Sequence, residues 1–143
     1  MGHDKQVSGM AGVFAVAEQL SLRGWIVSPT SRNVEVVDLL MTRGVGGTLA
    51  GQVKTNGIRT GDSFWLVGKK ALTPHQSLFY FFVKFHKNDT KDIYVVPSKT
   101  VSKIVTVEKS PNSTWYSVSR DDIAKFKDMF DFLEGSTAKE TLS

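Results

Sequence analysis

The sequence contains no cysteine. Disulfides and thiolate metal sites are therefore excluded. It also lacks any apolar run near the ~18 residues that a membrane-spanning helix needs. The opening Met1-Gly2-His3-Asp4-Lys5-Gln6 has none of the apolar stretch of a signal peptide, so a cytoplasmic location is the expectation. Histidine is sparse, and His3, His75 and His86 do not fall at metal-ligand spacing. Gly44-Val45-Gly46-Gly47 lacks the Lys-Ser/Thr sequel of a P-loop, and no Gly-x-Ser-x-Gly elbow occurs. Thiolate-zinc, P-loop and serine-hydrolase chemistry therefore find no support.

What is present is ordinary for a globular domain: 143 residues, 41% of them hydrophobic and 22% charged. No repeat, low-complexity segment or composition break divides the chain. Residues 1–135 read as a single domain and 136–143 as a mobile tail. The net charge of +4 and a pI of about 9.4 lean toward anionic partners such as nucleic acid.

Helical spacing from Gly9 to Arg23 places Val13, Val16, Ala17 and Leu20 on one stripe, widened by Ala11, Phe14, Ala15 and Leu22. Glu18 falls inside that arc, between Phe14 and Leu22. A carboxylate there either needs a partner or sits at the edge of the buried face. Gly24 stops the helix, and Trp25-Ile26-Val27 starts a strand. Phe64 to Val67 is a short apolar element, and Lys69-Lys70 form an exposed basic pair. Leu78 to Phe85 and Ile93 to Val96 read as a strand pair, with Phe79 to Phe82 as sheet core rather than base-stacking aromatics. Ser98 to Val107 reads as a helix or, from Val101, Ile104 and Val105, as a strand. Trp115 to Val118 is extended. Ser119-Arg120-Asp121-Asp122 resembles a capping box for a helix with Ile123, Phe126, Met129, Phe130 and Leu133 on one face, closed by Gly135.

The informative stretch is Asn33 to Lys54. Val34 to Leu40 and Leu49 to Lys54 alternate with period two around Arg43-Gly44-Val45-Gly46-Gly47, a pattern for a hairpin. Side chains alternate along a strand, so Asp38 can share a face with Gln52 and Lys54 if the register allows. A carboxylate in an apolar strand is costly unless a cation satisfies it. That cation is either Lys54, in a structural salt bridge, or a metal ion. The loop Thr55 to Asp62 follows directly, so Thr55, Asn56 and Arg59 could reach a phosphate backbone or simply form a solvated turn.

Glu18, Asp38 and Gln52-Val53-Lys54 together resemble the PD-(D/E)xK nuclease superfamily, the restriction-endonuclease-like fold. The variant resembled carries Gln in place of the usual Glu, as in Mrr-like restriction enzymes. Leu78 to Val83 and Asp92 to Ser98 look similar to a small uncharacterised bacterial family within that superfamily. The resemblance implies one α/β/α domain around a mixed sheet and a metal-dependent DNA endonuclease, with Mg²⁺ or Mn²⁺ as cofactor. It implies Asp38 as principal metal ligand, Glu18 as a direct or water-mediated ligand, and the Val53 backbone carbonyl as a further one. Gln52 would be part of the catalytic set without adding charge, and Lys54 would orient or deprotonate water. Thr55, Asn56, Arg59, Lys69 and Lys70 would contact DNA. Enzymes of this kind are often dimers, so a homodimer is expected, joined through the aromatic strand or the C-terminal helix. The alternative is a catalytically degraded module that binds nucleic acid or a protein without cleavage.

Overall fold

The computed structural model describes residues 2–30, 37–44 and 47–134. Expectations for 31–36, for Val45-Gly46 in the hairpin turn, for Gly135 and for the tail 136–143 lie outside the described residues. The chain runs α1 (Gly2–Leu22), β1 (Ile26–Pro29), β2 (Leu39–Thr42), β3 (Thr48–Asn56) and β4 (Phe64–Val67), then a 3-10 turn at Lys69–Leu72. It continues through β5 (Leu78–Phe85), β6 (Lys91–Pro97), α2 (Ser98–Ile104), β7 (Thr106–Ser110), β8 (Ser113–Ser119) and α3 (Arg120–Ile123).

The first five-stranded sheet has the order β1-β2-β3-β5-β6, and it is mixed: β3 and β5 are parallel, the other pairs antiparallel. β3 and β5 lie inside this sheet, and β5 is buried on both faces. That explains its unbroken run Leu78-Phe79-Tyr80-Phe81-Phe82-Val83, because a two-sided strand has no polar face to alternate. One face of the sheet carries Leu49, Val53, Phe79, Phe81 and Val83, packed with Val13, Val16 and Leu20 of α1. The other face carries Tyr80, Phe82, Tyr94 and Val96, packed with Trp65 and Val67 of β4, Val101 of α2 and Val118 of β8. On that second side a three-stranded sheet, β4-β8-β7, lies beside the short helices. Among the described residues no helix is long and apolar enough to cross a membrane.

The rotation of α1 about its axis is set by close contact. At Gly12 a Cβ would collide with Thr55 Oγ1, so the helix backbone lies directly on β3. Only a residue without a side chain permits that approach. The buried stripe is correspondingly narrow: Val13, Val16 and Leu20 are covered, while Ala11, Phe14 and Leu22 face solvent. The broad apolar arc expected from the sequence is thus cut down to the part that touches the sheet.

Two further expectations change. The 98–107 segment is helix and strand in turn, α2 followed by β7. The long C-terminal helix is broken. After α3 and a 3-10 turn at Ala124–Phe126, Lys127 forms a β-bridge with Tyr94 and Asp128 takes a positive φ of 57°. The Asp128 N–H donates to the carbonyl of Ile93 at 2.9 Å. Docking onto β6 gives these backbone groups partners in place of another helical turn. Phe130 and Leu133 still reach the core, but Met129 is exposed, and Ser119 makes no side-chain cap. The aromatic strand β5 cannot join two copies of the chain, because its flanks are paired to β3 and β6.

Candidate active site

β2 and β3 pair antiparallel with Leu39 opposite Gly51 and Leu40 opposite Ala50. Stepping once outward, Asp38 stands opposite Gln52. Leu39 belongs to the α1-side core, so Asp38, Gln52 and Lys54 belong to the opposite side of the sheet. Asp38 lies just before β2, where its N–H donates to the Gly51 carbonyl at 2.8 Å. Its Oδ2 accepts the Val53 N–H at 2.7 Å. N–H and C=O of one strand residue leave along the same edge. The Val53 carbonyl therefore leaves β3 on the Asp38 side, beyond the last β2 partner of β3.

Lys54 is half-buried on the same face. Burial pulls its ammonium below the usual lysine range, and the Asp38 carboxylate opposes that pull. The two groups interact through space, but among the described residues they form no direct ion pair. The simple structural salt bridge is therefore not what holds Asp38. Gln52 is more telling. Its Oε1 is fully shielded and has no hydrogen-bond partner among the described residues, an arrangement that costs about 1–3 kcal/mol unless something else satisfies it.

Gln52 and Lys54 open into a groove of about 440 Å³ whose rim includes Lys69, Lys70 and Tyr80. Tyr80 is directly in register with Gln52, and burial pushes its hydroxyl above the usual tyrosine range. The sequence reading placed Tyr80 in the sheet core, where it is indeed buried, but did not place it at the groove. The signal that could have found it is period-two alternation on β5, which puts 78, 80 and 82 on the face shared with Gln52 and Lys54. A second groove of about 400 Å³, on the outer face of the smaller sheet, is lined by Phe64, Leu66, Glu108, Trp115 and Ser117. It gathers no comparable set of polar groups.

Three expected site residues do not join this set. Glu18 is exposed, and its Oε1 accepts a hydrogen bond from Gln19 at 3.2 Å. It is two residues from both Val16 and Leu20, roughly 200° around the helix from the buried stripe. The whole sheet also separates α1 from the face of Gln52 and Lys54. Thr55 turns toward α1, where its hydroxyl is shielded beside Gly12. Asn56 is buried and donates its amide to the Phe64 carbonyl at 2.8 Å. Arg59 is exposed in the loop after β3. Asp38, Gln52, Lys54, Lys69 and Lys70 are thus gathered on one side; Asn56 shares that face but is engaged by the Phe64 carbonyl, and Glu18 and Thr55 lie on the α1 side.

Mg²⁺ prefers hard oxygen donors and retains water in its shell. One carboxylate with an oxygen to spare, an orphaned amide oxygen and an edge carbonyl fit that preference. No cluster of three or more acidic or histidine ligands occurs among the described residues, so the donor set suits a single ion.

No protein-family model and no curated protein matches the chain. Solved structures do. A bacterial homing endonuclease, I-Ssp6803I, superposes with a TM-score of 0.61 over 96% of this chain and 97% of its own, at 18% identity. Hjc, a Holliday junction resolvase from the archaeal hyperthermophile Archaeoglobus fulgidus, superposes with a TM-score of 0.51 at 9% identity. That match covers 82% of this chain and 88% of the resolvase. The fold is restriction-endonuclease-like. Its central mixed sheet presents the β2–β3 hairpin, and with it Asp38, Gln52 and Lys54, beside the groove.

Proposed function

We propose that the protein is a metal-dependent DNA endonuclease that hydrolyses phosphodiester bonds at the Asp38–Gln52–Lys54 face. The observation that carries this reading is the convergence of Asp38, the unpartnered Gln52 Oε1 and the half-buried Lys54 on one side of β3. A purely structural hairpin gains nothing from such a trio. The two nuclease structures that share the fold support the same class of chemistry.

Asp38, Gln52 and the Val53 carbonyl would hold Mg²⁺ or Mn²⁺. When bound, such an ion supplies positive charge to the phosphate and acidifies water. Lys54 has two states to offer. Burial makes its neutral amine accessible as a proton acceptor for the attacking water, and its ammonium stabilises charge on the phosphate oxygens. The hydrogen bond from Val53 fixes the Asp38 carboxylate before substrate arrives. Tyr80, Lys69 and Lys70 face the groove as contacts for the DNA backbone. One such site cuts one strand at a time, so the reading includes a homodimer for double-strand cleavage.

The experiment is nicking of a supercoiled plasmid by the full chain with Mg²⁺, with Mn²⁺ and with EDTA. Cleavage that requires the metal and is lost in Asp38→Asn supports the proposal. Duplex binding without cleavage under any metal favours the degraded module. The outward turn of Glu18 supports that second reading, because it leaves Asp38 as the site's only assigned carboxylate.

A further inference from the structure

We infer that the loop between β3 and β4, residues 57–63, is a pre-formed prong that engages the duplex backbone, and that Lys84 is the residue that positions it. This rests on the nuclease reading above. Lys84 ends the buried stretch of β5, opposite Asn56 in the parallel register, and is only 6% exposed. Its Nζ donates to the Gly57 carbonyl at 2.7 Å and to the Thr60 carbonyl. Among the described residues it forms no ion pair. A buried ammonium is expensive, and an apolar side chain would fill a β5 position at less cost. The charge instead holds both ends of one tight turn.

The rest of the loop is fixed as well. The Thr60 N–H donates to the Gly57 carbonyl at 3.1 Å. Asn56 donates to the Phe64 carbonyl at the far end. Arg120 donates through Nη1 to Asp62 at 2.7 Å and through its N–H to the Ser63 carbonyl at 2.9 Å. A Cβ at Gly57 would sit 2.8 Å from Ser8 Oγ, so α1 closes the base of the loop. The tip is open: Ile58 is 51% exposed, and Arg59, Thr60 and Gly61 after it are exposed too. A plain connection between two strands needs neither a buried cation nor pins at both ends. A binding element does, since ordering it in advance removes that entropy cost from association. Its tip offers a guanidinium, the side chain best suited to phosphate, next to an aliphatic group. The loop begins at Gly57, directly after β3 and three residues beyond Lys54, so it is close enough to the site to meet a duplex bound there.

The test uses the full chain and a short DNA duplex, with binding measured in EDTA across a salt series and cleavage measured with Mg²⁺. Arg59→Ala should weaken binding roughly tenfold and reduce the salt slope by about 1. Lys84→Met should weaken binding comparably, raise KM rather than lower kcat, and remove hydrogen-exchange protection of the Thr60 amide. Because Lys84 acts through the loop, the double variant should bind no more weakly than Arg59→Ala alone. Additive losses, or an unchanged salt slope in Arg59→Ala, overturn the proposal. If Lys84→Met does not fold, Arg59→Glu at the exposed tip decides: wild-type affinity there also overturns it. Wild-type cleavage with normal binding by Arg59→Glu removes the prong and leaves the nuclease. Wild-type binding that needs Arg59, without cleavage under any metal, removes the nuclease and leaves the prong.

Discussion

Asp38 is held by Val53: its Oδ2 accepts the Val53 N–H at 2.7 Å. A side-chain carboxylate thus takes the place that the next β2 backbone carbonyl would hold in a longer hairpin. The strand partner is replaced by an acid. Oδ1 has no hydrogen bond among the described residues and is available to a cation.

Asp38→Asn should therefore abolish metal-dependent cleavage while leaving the fold nearly as stable as wild type. The amide oxygen can still accept from Val53. In wild type, Mg²⁺ at a hundredfold excess over its Kd should add about 2.7 kcal/mol of stability. Asp38→Asn should show no such gain. Thermal melts with and without Mg²⁺ check both points. Loss of about 3–5 kcal/mol in the variant, with no metal effect on wild type, would mark Asp38 as a purely structural charge.

Lys54→Met should remove cleavage yet raise stability near neutral pH. Burial places the folded-state pKa of Lys54 below its ordinary 10.5, despite the opposing pull of Asp38. Below that folded value both states are protonated, and the folded chain bears the desolvation of the ammonium. Between the folded value and 10.5 the unfolded chain binds the extra proton, so wild-type stability climbs with pH. The advantage of Lys54→Met should accordingly shrink through that window and vanish above it. Denaturant titrations across alkaline pH measure it. An advantage that stays constant with pH contradicts the assignment.

Glu18→Gln should leave cleavage within about twofold of wild type, since a surface substitution away from the site moves little. The side chain faces solvent and touches Gln19. A loss of several orders of magnitude in plasmid nicking would mean that α1 rotates when DNA binds.

Asp92→Asn should destabilise the chain at neutral pH and not in strong acid. Asp92 accepts from His86 Nε2 at 2.8 Å and pairs with Lys127 Nζ at 3.0 Å, which ties the C-terminal segment to the β5–β6 turn. Burial alone would raise its pKa, but the hydrogen bonds and charges of His86 and Lys127 together bring it below 3.8. The stabilisation is thus complete above 3.8 and is lost as pH falls through the lower folded value. Melting curves of both proteins should converge there. A gap that persists in strong acid would point to packing instead.

Much of this protein was legible in its residues because strand alternation is a local property. The run from Leu49 to Lys54 carries its two faces in the order of its side chains, so Gln52 and Lys54 had to share one. Glycine near the turn and the alternation around it placed Asp38 within reach of both. The aromatic-rich run of β5 marked a strand of the sheet core, and the structure covers it on both sides. Glu18 was different. A helix can be turned about its axis at small local cost, and only the seat of Gly12 against Thr55 decided which way it points. Tyr80 and Phe81 look alike in sequence and both are buried, and only their register with β3 decided that one lies on the groove side of the sheet and the other against α1. The C-terminal helix was lost to an alternative that no local pattern encodes, the bridge from Lys127 to Tyr94. The role of Lys84 could not be read at all, because its partners are two carbonyls more than twenty residues away in the chain. Local periodicity determines which residues share a face. Contacts between distant segments determine where that face looks.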